Sequence, residues 1–157
     1  MSRTTPATLA LDRAGVAYAL ATYDYDPGAD RVGLQAAEEL GAPPSKVLKT
    51  LMVKVDGKPA CVVLASDREV SMKRLAAALG GKSAEMMKPA DAERITGYRV
   101  GGVSPFGQKK PVPTVIDADA AALPEAFMNG GQRGLQVRLA PSELVRVLGA
   151  KVAAIAG

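Results

Sequence analysis

Two adjacent glycines, Gly101 and Gly102, head the residues of this chain that could do chemistry. Without Cβ atoms their backbone can take φ > 0 and bring N–H groups close to a ligand oxygen, so the pair could stabilise an oxyanion or form a plain turn. Lys49 lies early in the apolar run 47–55. An ammonium on a strand can pair with a phosphate or an ester oxygen, or simply guard an exposed edge, and Lys46, Lys54 and Lys58 sit in similar patterns. Tyr23 and Ser104 could donate hydrogen bonds or serve as surface and capping groups, and Lys109-Lys110 could hold a nucleic-acid backbone or be solvated.

The remaining reactive types are defined by what the sequence lacks. Histidine is absent, so the usual general base near neutral pH and every His-based triad are missing. The single cysteine, Cys61, is flanked by Ala60 and Val62-Val63-Leu64. A thiolate needs nearby positive charge to form at neutral pH, so this one reads as a small buried hydrophobe. With no His and one Cys, ordinary zinc sites lose their ligands, and no carboxylate spacing suits a harder cation. No metal and no cofactor are expected.

A chain of 157 residues fits one domain, 1–157, and 48% hydrophobic residues supply its core, mostly Ala, Val, Leu, Ile and Met because only two Phe and no Trp are present. A lone cysteine suits a reducing compartment. Met1 to Leu11 lack the features of a secretory signal, and no apolar run approaches the length of a membrane span. A soluble, cytoplasmic protein with no membrane partner is the expectation. The net charge of +4 slightly favours a polyanionic partner, or is ordinary solubilising charge.

The elements that must position these residues follow from pattern and punctuation. Thr5 and Pro6 open a helix over 6–14, which stops at Gly15. Alternation over 17–23 predicts a strand, 33–40 a helix, and the runs 47–55 and 58–65 a hairpin around Asp56-Gly57. Helices are predicted at 71–79, 89–95 and 141–148, and strands at 112–117, 126–129 and 134–139. Residues 98–110 are too rich in Gly, Pro and polar groups to be regular. No internal repeat or linker is visible. Interleaved strands and helices with several short joins argue for an α/β (α+β) fold, a mixed, partly closed β-barrel surrounded by helices.

The segment 98–110, Tyr-Arg-Val-Gly-Gly-Val-Ser-Pro-Phe-Gly-Gln-Lys-Lys, with Pro113 to Asp117 after it, resembles the YbaK branch of the bacterial aminoacyl-tRNA deacylase superfamily. The likeness extends through Thr5-Pro6-Ala7, Tyr23 to Pro27, Val47 to Leu51 and Gly130 to Leu135. The same superfamily includes the editing domain inserted in many prolyl-tRNA synthetases. The resemblance implies a mixed barrel wrapped by helices and editing of mischarged tRNA, usually release of cysteine from Cys-tRNA(Pro) and also Cys-tRNA(Cys). Prolyl-tRNA synthetase is the implied partner, and DNA is not. Lys49 matches the functional lysine, Gly101 to Pro105 the GxxxP loop with Gly102 and Ser104 inside it, and Tyr23 a pocket tyrosine. Gln136 stands where an acidic residue is common and Val32 where an aromatic is common, so both are expected to line the pocket.

The mechanism implied by the family needs no enzyme nucleophile. The substrate's own thiol attacks its ester, Gly101 N–H faces the developing oxyanion, and Lys49 holds the terminal adenosine or its phosphate. Two other readings stay open at this point: water-mediated deacylation of another amino acid such as alanine, and a non-catalytic tRNA-binding module, which the few aromatics disfavour.

Overall fold

The computed structural model describes residues 4–25 and 32–157. Helix α1, Pro6–Arg13, begins at a reciprocal cap: Thr8 N–H donates to Thr5 Oγ1 at 3.1 Å and Thr5 N–H to Thr8 Oγ1 at 2.9 Å. The Thr5 hydroxyl also donates to the Gly130 carbonyl at 2.5 Å, which pins the start of the chain to the turn between the last two strands of the smaller sheet.

Strand β1 (Ala19–Thr22) and helix α2 (Val32–Leu40) precede a short 3-10 turn at Pro44–Lys46. Strands β2 (Leu48–Val55) and β3 (Lys58–Ala65) form the expected hairpin. Asp56 and Gly57 both have positive φ, 50° and 80°, as a two-residue hairpin loop twisted to match its strands requires. Next come α3 (Met72–Ala78), β4 (Ala84–Met86), α4 (Pro89–Thr96), β5 (Thr114–Asp117), α5 (Ala118–Ala121), β6 (Ala126–Asn129), β7 (Leu135–Leu139), α6 (Ser142–Leu148) and β8 (Lys151–Ala153).

The strands form two sheets, ordered β1-β7-β6 and β4-β2-β3-β5-β8. β3, β5 and β8 run parallel, and the other pairs are antiparallel, so the second sheet is mixed. A parallel bridge, Val47 to Phe127, joins the sheets. The result is a mixed α/β architecture that is partly closed: the strands curve around a core of Leu48, Met52, Val63, Phe106, Ile116 and Met128 without a continuous ladder around it among the described residues. On the other face of the second sheet, Val53, Val62, Leu64 and Val115 pack under Leu75 of α3.

The elements that periodicity does not announce are short. β4 and β8 have three residues each, and tertiary bonds hold them. The Asp56 carboxylate accepts from the N–H groups of Lys82 and Ser83, each at 3.0 Å, which steers the chain alongside β2; the same bonds hold its pKa below the usual carboxylate range. Asp117 Oδ1 accepts from Ile155 N–H at 3.0 Å and Ala156 N–H at 3.2 Å, securing the segment after β8. β5 begins at Thr114 rather than Val112, because Pro113 has no N–H for a ladder; its carbonyl instead accepts from Cys61 N–H at 2.9 Å.

Candidate active site

A cavity opens at the edge of β2. β4 pairs with β2 only from Val53 to Val55, and β6, although it lies alongside β2, forms a bridge only at Val47, just before the strand. Among the described residues, 48–51 therefore have β3 on one side and no ladder partner on the other, the β4 side closing with the Met87 N–H to Met52 O bond. The cavity, of about 380 Å³, is lined by Leu48 to Met52 and faced by Val100, Gly101 and Val103 of the long loop. That volume suits a small aminoacyl group. Apolar walls come from Leu34, Met86, Met87 and Ala92.

Strand alternation decides what β2 presents. Leu48, Thr50 and Met52 share one face, on which Leu48 and Met52 enter the main core, whereas Lys49 shares the other with Leu51 and Val53. The cavity thus wraps around the strand edge, with Lys49 on one side and Thr50 on the other. Lys49 Nζ lies 3.8 Å from the Glu69 carboxylate; the lysine side chain is 20% exposed and the glutamate 70%, so the pair sits at the mouth.

The loop opposite is held by hydrogen bonds to the β6–β7 turn. Gly101 has φ +90°, and a Cβ there would lie 2.6 Å from Tyr25 Oη. At Gly102 a Cβ would lie 2.9 Å from the backbone N of Arg133. Two glycines are therefore required, one by conformation and one by close backbone packing. Asn129 Nδ2 donates to Gly101 O at 3.1 Å, Arg133 Nε to Val100 O at 2.9 Å, and Gly102 N–H to Arg99 O at 2.8 Å. The other end of Asn129 accepts from the N–H groups of Gly131 (2.7 Å) and Gln132 (3.2 Å). The Arg133 guanidinium lies 5.1 Å from the centroid of the Tyr25 ring. Both peptides flanking Gly101 are thereby fixed by their carbonyls.

The structure brings Lys49, Gly101 and Gln136 to the cavity wall. Tyr23 lies behind Gln136 and borders an adjacent cleft with Tyr25 and Arg133. Burial raises the Tyr23 phenol pKa, with the Gln136 side chain and the Gly134 backbone opposing that shift. Among the described residues, Tyr23 Oη, Gln136 Oε1 and Thr50 Oγ1 are buried polar atoms without a well-formed hydrogen bond. Ser104 is fully buried, and its hydroxyl accepts from Phe106 N–H at 3.1 Å. Ser104, Pro105 and Gly102 shape the loop and are not on the cavity wall. Val32 begins α2, and its side chain falls outside the described residues.

Cys61 is buried on β3, and desolvation pushes its thiol up to about 12, despite opposing bonds from Gln108 and Thr114. It is a core group, not a nucleophile. Among the polar side chains on the wall, the Ser66 hydroxyl donates to Val47 O at 2.5 Å, and both ends of the Asn129 amide are engaged. Thr50, Asn129, Arg133 and Tyr25 are the site residues that sequence reasoning passes over. Asn129 reads as the last residue of the strand 126–129, and the one signal for Arg133 is its place in the family-like run 130–135.

The site is thus a small apolar cavity at a splayed sheet edge of an α/β protein, with a lysine at its mouth and a braced glycine loop opposite. Comparison with known proteins gives the class. The family model of the aminoacyl-tRNA editing domain matches residues 26–147, and the chain belongs to that family. It is an aminoacyl-tRNA deacylase. A candidate Cys-tRNA(Pro)/Cys-tRNA(Cys) deacylase, EbsC of Enterococcus faecalis, is 35% identical over 136 residues, covering 85% of this chain and 82% of that protein. A proline–tRNA ligase of Acidithiobacillus ferrooxidans is 35% identical over 106 residues, 67% of this chain but 18% of the ligase. The crystal structure of a candidate trans-editing enzyme for prolyl-tRNA synthetase superposes with a TM-score of 0.81 at 24% identity, over 99% of both chains, and shares the fold.

Proposed function

We propose that this deacylase acts in trans on tRNA(Pro) mischarged with cysteine, in the cytoplasm and alongside prolyl-tRNA synthetase. The observation that carries the reading is a cavity sized for one amino acid whose described wall holds a cation and a glycine peptide but no activated nucleophile. The Ser66 hydroxyl is committed as a hydrogen-bond donor to the Val47 carbonyl, which cannot act as its base, and Thr50 Oγ1 has no hydrogen-bond partner among the described residues to take its proton. The nucleophile therefore comes from the substrate or from water, and cysteine carries one. The similarity to EbsC and to a segment of proline–tRNA ligase supports the choice of substrate and of tRNA.

In this mechanism the cysteinyl sulfur attacks its own ester carbonyl, and the carbon–oxygen bond to the terminal ribose breaks. The thiol proton passes to the departing ribose oxygen, leaving a thiolactone and free tRNA. Gly101 N–H faces the transient oxyanion, and Lys49 Nζ holds the terminal adenosine or its phosphate. Gly102, Ser104 and Pro105 set the loop that carries the amide, and Gln136, with Tyr23 behind it, shapes the acyl pocket. Holding the sulfur close to the carbonyl supplies the main rate gain, since favourable intramolecular geometry is worth roughly 7–11 kcal/mol.

The test is to incubate the protein with Cys-, Ala- and Pro-tRNA(Pro) and identify what is released. Rapid loss of cysteine as a thiolactone, trapped before it opens, supports the reading. Faster release of alanine than of cysteine favours the water-mediated reaction, and tRNA binding with every ester intact shows a binding module.

A further inference from the structure

The unpaired edge of β2 at Thr50 has no role in the steps above, yet it faces the same cavity. In the β2–β3 ladder, Val47 O accepts from Ser66 N–H, so by alternation residues 49, 51, 53 and 55 direct their peptide groups at β3. The even residues direct theirs outward. Met52 O indeed accepts from Met87 N–H on the β4 side, and Asp56 N–H donates to Ser83 O there. Thr50 is on the same edge, but β4 stops at the partner of Val53 and the β6 bridge lies at Val47. Its N–H and C=O face the cavity, with Val100, Gly101 and Val103 across from them. Its hydroxyl is also unpartnered among the described residues, so no side-chain bond compensates for the missing strand.

An aminoacyl ester has the same two groups as one strand residue, an amine that donates and a carbonyl that accepts. We infer that the substrate's aminoacyl group docks as a one-residue strand on this edge, its amine donating to Thr50 C=O and its ester carbonyl accepting from Thr50 N–H. This is the hydrogen-bonded pair of an antiparallel ladder, applied to a single residue. The inference rests on the aminoacyl-ester reading of the cavity and adds to it a main-chain recognition site. Thr50 N–H then becomes a second donor to the oxyanion beside Gly101, and recognition depends on the substrate's backbone rather than on its side chain. The edge selects an α-amino acyl group, and the surrounding pocket sorts the side chains.

The experiment uses tRNA(Pro) ending in 3′-amino-3′-deoxyadenosine, which holds an acyl group through an uncleavable amide. L-Alanyl and propionyl forms differ only in the amine. Wild-type protein is expected to bind the alanyl form at least about tenfold more tightly, the worth of a charge-assisted hydrogen bond. In amide hydrogen exchange, Thr50 N–H is expected to become protected by the alanyl form, while Leu51 N–H, already paired with β3, does not change. Thr50→Pro removes the outward N–H together with the hydroxyl, at a position where an unpaired edge accepts proline, and is expected to lose about 10²-fold in kcat. Thr50→Val keeps the main chain, and in it the preference for the alanyl over the propionyl form is expected to persist. Equal affinity for the two acyl forms, or an unprotected Thr50 amide in the alanyl complex, overturns the inference without needing either variant to fold. Protection of Thr50 in a protein that cleaves no aminoacyl ester would instead overturn the proposed function and leave the edge site standing.

Discussion

Gly101→Ala puts the glycine loop under two separate stresses, and their sizes follow from the geometry. At φ +90° an L side chain costs roughly 1–2 kcal/mol in backbone conformation. The new Cβ would also stand 2.6 Å from Tyr25 Oη, where ordinary contact begins at 3.4 Å, so one of the two must move by 3.4 − 2.6 = 0.8 Å. Asn129 and Arg133 hold the neighbouring carbonyls, so the loop resists moving, and the Tyr25 ring is itself packed beside Arg133. A displacement of this size at a reacting centre costs about 10²-fold in rate. In a Cys-tRNA(Pro) deacylation assay, kcat should fall about 10²-fold while KM changes little, because the amide serves the transition state. The melting temperature should drop by about 2–8 °C, at 2–4 °C per kcal/mol for a chain of this size. Adding Tyr25→Ala removes the clash but not the backbone strain, so the double variant should recover part of the rate. A folded Gly101→Ala protein with near-normal kcat would refute the reasoning.

Three further outcomes are expected. Lys49→Ala should lose about 10²-fold in kcat/KM and flatten the salt dependence by about 0.7 in log–log slope, for one lost phosphate contact. Its melting point should hardly change, since the Lys49–Glu69 pair, with Glu69 70% exposed, stabilises the fold by less than about 1 kcal/mol. Asn129→Asp keeps the acceptor for Gly131 and Gln132 N–H but loses the donor to Gly101 O, and should lower kcat about tenfold in the same assay. Cys61→Ser should remain active, and total inactivity of the folded variant would return Cys61 to the mechanism. The pH dependence of stability gives a separate check on Cys61. Its thiol is raised from 9.0 to about 12 in the folded protein, so the folded state binds its proton more tightly than the unfolded state does. That contribution is complete below about pH 9 and is lost as pH rises towards 12, and denaturant titrations of Cys61→Ala should lack this part of the alkaline decline.

Much of the scaffold was legible because local signals agree with tertiary ones. The Thr5-Pro6 helix start, the Asp56-Gly57 hairpin and the alternation of 134–139 each rest on a few neighbouring residues, and each forms where expected, the last strand beginning one residue later at Leu135. The three-residue strands β4 and β8 carry too little pattern to read, since the Asp56 and Asp117 carboxylates that hold them act across long stretches of chain. The site divides in the same way. Lys49 and Gly101 could be singled out because a cation and a glycine pair suggest chemistry by type alone. Thr50, Asn129 and Arg133 could not, because their importance lies in where a ladder stops and which carbonyl a side chain reaches. Residues 48–51 read as part of an ordinary strand, and nothing in their order reveals that one edge lacks a ladder partner.

Cysteinyl-tRNA(Pro) whose sulfur has been methylated keeps the ester, the amine and nearly the shape of the mischarged substrate, and lacks only the nucleophile. Measured side by side with the unmodified form in single-turnover assays, it should be held by the enzyme yet released no faster than in buffer. Equal rates for the two would mean that water or the enzyme attacks the ester, and would contradict a reaction driven by the substrate's own sulfur.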